Sequence, residues 1–118
     1  MLKIPQLIQY LESEKRTGLA AAEALAEDGR RDEANMARIR ANIFDVMAAV
    51  SRTAQEKFPQ NAAGFIREKM GEIPRNWSES LAAAERHGDH IKAMTERIKL
   101  QAMAEITAKY TDMAEGEQ

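Results

Sequence analysis

Between residues 36 and 58 the apolar side chains Met36, Ile39, Ile43, Val46, Met47, Val50, Ala54 and Phe58 fall every three or four positions. On a helix that spacing gathers them onto one face; on a strand it would scatter them over both, so the pattern selects a helix. Asp32 is placed to cap it, Glu33 puts negative charge in its first turn, and Pro59 stops it. Runs of β-branched and aromatic residues that mark strands are missing elsewhere. A long amphipathic rod without a sheet must be covered by other rods.

The remaining segments supply them. Ile4, Leu7, Ile8 and Leu11 open a first helix, with Pro5 tolerated in its first turn. Lys15 and Gly18 interrupt the stripe, and Leu19, Ala22, Leu25 and Ala26 resume it in phase, which predicts one helix to Asp28. Gly18 would let a neighbouring helix approach closely. Gly29 is expected to close the helix as a left-handed C-cap. Residues 60–71 suit a short helix with Phe65, Ile66 and Met70 on its apolar side, ended by Gly71 and Pro74. Asn76 followed by Glu79 has the form of a capping box, opening a helix that carries Trp77, Leu81 and Ala84 to Gly88. Asp89 caps a last helix bearing Ile91, Met94, Ile98, Ala102, Ile106, Tyr110 and Met113. The expected fold is one all-α domain, an antiparallel bundle of four to five helices with no β-sheet. Its parts are a hairpin over 4–58, a connecting short helix over 60–73, a hairpin over 76–114 and a flexible tail over 115–118.

The two hairpins share wording. Leu19-Ala20-Ala21-Ala22-Glu23 returns as Leu81-Ala82-Ala83-Ala84-Glu85, each ahead of a glycine, Gly29 or Gly88. Ala34 and Arg38-Ile39-Arg40 then match Ala93 and Arg97-Ile98-Lys99. Ala22, Gly29, Ala34 and Ala41, with parts repeated at Trp77, Gly88 and Ala93, resemble the turn of a tetratricopeptide repeat. The pattern departs from that family at Arg38, where a large apolar residue belongs, and at Leu100, where a small one does. The glycines also lie 59 positions apart, against about 34 in that family. The shared wording is read as common helix–turn–helix physics.

No catalytic motif stands out. The chain has no cysteine, which excludes disulfides, thiolate nucleophiles and Cys-type zinc sites. A net charge of −2 argues against a dedicated nucleic-acid binder. No apolar run approaches the roughly 20 residues of a membrane span, and the N-terminus carries no export-signal pattern, so a cytoplasmic protein without a cofactor is expected. His87, Asp89 and His90 form the one turn with metal-ligand chemistry, but Gly88 breaks the helix that could align them, and a capped surface turn is the simpler reading. Arg30, Arg31, Arg38 and Arg40 could offer a basic face to nucleic acid; interspersed acids make a solvated face the simpler account.

Two helices carry more apolar surface than one buried side needs. Ala37, Ala41, Phe44 and Ala48 form a second band on the long helix; on the last, Met103, Ile106 and Tyr110 widen the arc and Leu100 lies nearly opposite Ile91 and Ile98. A singly buried helix shows an arc of about 100° or a little more. The surplus predicts a homodimer through Phe44, Leu100, Met103 and Tyr110, or a groove for a helical segment of a partner protein. The expected function is a non-enzymatic interaction or adaptor module. The alternatives are a metal-dependent protein using the His87/Asp89/His90 turn and a nucleic-acid-associated regulator using the Arg30–Arg40 face.

Overall fold

The computed structural model describes residues 2–116. They form five helices in chain order, with no strand among the described residues: α1 (Ile4–Glu27), α2 (Arg31–Lys57), α3 (Ala62–Glu72), α4 (Pro74–Arg86) and α5 (His90–Glu115). α1 and α2 pair as one antiparallel hairpin, α4 and α5 as the other, and α2 packs on α5 to join them. This is the all-α bundle that the apolar spacing predicts.

α1 runs unbroken through Thr17 and Gly18. The two gaps in its apolar stripe are where it meets α2. Lys15 Nζ donates to Asp45 Oδ1 at 2.8 Å, and Gly18 lies directly against Ala41. Ala34, Ala41 and Ala48, seven residues apart and all buried, keep one face of α2 flat. Small side chains on both sides let the backbones come together.

Both hairpin turns use one hydrogen-bond pattern. Gly29 and Gly88 have φ of +78° and +67°. Beyond them Arg30 N–H donates to Leu25 O and Asp89 N–H to Ala84 O, each at 2.9 Å. A second bond runs from each glycine N–H, Gly29 to Ala26 O at 3.0 Å and Gly88 to Glu85 O at 3.3 Å. This is the Schellman arrangement, which needs a left-handed residue where glycine stands. Ala34 and Ala93, the fifth residues after the glycines, are both buried.

Two expected caps are corrected. α2 begins at Arg31, so Asp32 lies inside its first turn and makes no capping bond. Asn76 does not open α4: that helix starts at Pro74, and Asn76 is exposed within it. The single residue between α3 and α4, Ile73, is itself helical at φ −56°, ψ −45°, and its N–H donates to Lys69 O at 2.9 Å. Pro74 has no N–H to continue the ladder to Met70, so it interrupts a nearly continuous helix and serves as the first residue of the next. Asp89 does cap, accepting from Lys92 N–H at 3.1 Å. Of the expected tail, Glu115 ends α5 and Gly116 is a turn, while 117–118 lie outside the described residues.

The large core side chains collect at one end of the bundle. Leu7 and Leu11 of α1, Phe44 and Met47 of α2, Ile66 of α3 and Ile106 of α5 are all essentially inaccessible. Tyr110 seals this end by donating its hydroxyl to Ala63 O at 3.1 Å, tying α5 to α3.

Candidate interaction surface

The residues expected to face a second copy face the interior instead. Phe44, Met103 and Tyr110 are buried within the single chain, and Leu100 is half-buried. Tyr10 and Phe44 meet edge to face at a centroid distance of 6.1 Å, and the Arg40 guanidinium lies over the Phe44 ring at 4.6 Å. The surplus arcs on α2 and α5 are therefore met by α1, α3 and α4, whose contribution the stripes on α2 and α5 do not reveal.

The histidine turn stays at the surface. His87 is the C-cap of α4, His90 opens α5, and both are exposed. The Asp89 carboxylate between them is occupied by its own helix end. Among the described residues no three His, Asp or Glu side chains converge where one metal ion could reach them.

Most of the arginines at the start of α2 and along it have local partners. Arg30, just ahead of the helix, pairs with Glu33, Arg38 donates to Asn35 at 3.2 Å, Arg40 pairs with Glu105 of α5 at 3.0 Å, and Arg52 pairs with Glu12 of α1, while Arg31 is exposed at the first position of the helix. Such neutralisation suits a solvated charged face.

Two titratable groups lie deeper. Burial holds the Tyr10 hydroxyl above its ordinary value of 10.0, helped by the Glu14 and Glu105 carboxylates and partly countered by Arg40. Glu96 is 6% exposed; its Oε1 accepts from Lys99 Nζ at 3.4 Å, and its Oε2 has no hydrogen-bond partner.

The feature that the apolar spacing misassigns is at the other end of the bundle. Ile91 and Met94 stand in the stripe of α5, yet they are 82% and 49% exposed. With Ile98 they form one wall of a cleft of about 300 Å³ whose opposite wall is Met36 and Ile39 of α2. Asp32, Asn35 and Thr95 make its polar rim. The lining positions correspond across the two hairpins: 32, 35, 36 and 39 on α2, and 91, 94, 95 and 98 on α5, each pair the same distance from its turn glycine. The repeated wording thus does mark this place, through Ile39 and Ile98.

Fold and cleft together define a small all-α bundle with an apolar surface trough. No family model, curated protein or solved structure matches the chain. No helix of the described residues is long and apolar enough to cross a membrane.

Proposed function

We propose that this chain is a non-enzymatic helical interaction module that holds a helical segment of a partner protein at the α2/α5 cleft. The observation that carries the reading is the 82% exposure of Ile91 beside an apolar cleft. An isoleucine left in water forgoes about 1.5–3 kcal/mol of burial, and clustered exposure of this kind marks contact surfaces. The cleft offers apolar walls and a thin polar rim of Asp32, Asn35 and Thr95.

Photocrosslinking tests this reading. A photoreactive residue replaces Thr95 in the chain expressed in its native cell, and products are identified by mass spectrometry. One defined polypeptide is expected, joined through a helical segment and lost when Ile91→Glu is added. Absence of any product dependent on Ile91 overturns the proposal. A thermal-shift series with divalent ions addresses the metal alternative: no stabilisation is expected, and a dose-dependent rise lost in His87→Ala would favour that alternative.

A further inference from the structure

The bundle already contains a worked example of what its α2/α5 pair accepts. α3 buries Ala62, Ile66 and Met70, four residues apart, against the core. It packs on α2 and reaches α5 at both ends, through Ala63 O with Tyr110 and through Met70 Sδ with Thr107 Oγ1 at 3.8 Å. As α3 advances from 63 to 70, its contacts on α5 step back only from 110 to 107, so it crosses α5 obliquely with an antiparallel sense. α1 and α4 are antiparallel to their hairpin partners as well.

At Pro74 the chain bends, and α4 then follows α5. Lys99 Nζ lies over the Trp77 ring at 5.9 Å, and Arg97 pairs with Glu85 at 2.8 Å. Farther toward the starts of α2 and α5, Met36, Ile39, Ile91, Met94 and Ile98 line an open cleft with no helix of the described residues seated in it, whereas α3 packs against the bundle lower down. We infer that the cleft seats one amphipathic α-helix of another polypeptide, laid antiparallel to α2 and α5 and anchored by aliphatic or methionine side chains at three- to four-residue steps. This deepens the interaction reading and rests on it.

Length, lining and area agree on that occupant. Positions 32–39 and 91–98 give two turns on each wall, enough for anchors at i, i+4 and i+7. No aromatic ring lines the cleft, and Met36 and Met94 can adjust to differently shaped aliphatic anchors. Antiparallel docking brings the negative end of the incoming helix to the positive ends of α2 and α5. A second copy is a poorer fit. Five apolar side chains, three of them already half-buried, fall well short of the roughly 800 Å² per partner that a stable dimer buries.

The probe is a fluorescent synthetic peptide with the sequence of residues 60–73, which contains α3. Fluorescence anisotropy against the whole protein is expected to show saturable binding below about 1 mM. Ile91→Glu and Met94→Glu should each weaken it at least about tenfold, the scale of a lost anchor. Leu19→Glu, exposed elsewhere on α1, should leave it unchanged. Amide shifts on titration should centre on 32–39 and 91–98. No saturable binding, or binding indifferent to both cleft variants, overturns the inference. Should the peptide fail while sedimentation shows self-association that Ile91→Glu abolishes, the helix occupant falls and protein contact at the cleft stands. Should both fail and crosslinking from position 95 stay empty, the interaction reading falls with it.

Discussion

A Cβ built on Gly18 would lie 3.1 Å from the Cβ of Ala41 and 3.7 Å from its Cα. That is tighter than ordinary side-chain contact, so α1 and α2 touch here at backbone distance. Alanine at 18 gains about 1 kcal/mol of helix propensity, and a shift of a few tenths of an ångström uses much of it. Gly18→Ala is therefore expected to change stability by less than about 1 kcal/mol. Gly18→Leu should cost about 1–3 kcal/mol by forcing the helices apart. Urea unfolding of both variants checks the pair; a neutral leucine would show that α1 is free to move.

Burial separates Phe44 from Ile91, two residues that the apolar stripes treat alike. Phe44 is 0% exposed and Ile91 is 82% exposed. Phe44→Ala should lose about 3–5 kcal/mol, and Phe44→Glu should fail to fold rather than give a soluble monomer. Ile91→Glu should stay within about 0.5 kcal/mol of the parent. Thermal melts followed by circular dichroism distinguish the two; equal losses would place Ile91 in a core.

The caps make a second contrast. Asp89→Ala removes an observed bond to Lys92 N–H and should cost about 1 kcal/mol. Asn76→Ala removes no capping bond and replaces an exposed side chain inside α4, so a change within about 0.5 kcal/mol is expected. Denaturation midpoints of the two single variants provide the measurement, and a costly Asn76→Ala would restore the capping box.

Stability should also respond to Tyr10 at alkaline pH. Its folded-state value lies above 10.0 because of burial first and the two nearby carboxylates second. An unfolded tyrosine ionises near pH 10. Between the two values the unfolded chain has released a proton that the folded chain retains. Stability is thus fully present below about pH 10 and is lost as pH rises through the folded value. Tyr10→Phe should flatten the decline of stability above pH 10, measured by urea unfolding across pH 8–11. An unchanged slope would mean that Tyr10 ionises alike in both states.

Much of the fold was legible because helix ends are local chemistry. Gly29, Gly88 and Asp89 act on backbone groups within five residues of themselves, so their roles can be read from neighbours alone. The phase of the α1 stripe across Gly18 is likewise a short-range property. Pro74 misled for the same reason: proline signals an end and a beginning equally, and the start of α4 depends on its N1 tolerance rather than on Asn76. The cleft was written partly in the repeated Ile39 and Ile98, but its openness was not.

Residue order alone settled that the chain is helical, where most turns fall and which side chains share a face, since those facts follow from covalent spacing and hydrogen bonds a few residues long. Only the tertiary arrangement decided which faces are covered. Phe44 and Ile91 sit on comparable apolar arcs; α1 reaches the first, and no helix of the described residues covers the second. Cover depends on the length and direction of neighbours distant in the chain, and periodicity carries no record of either.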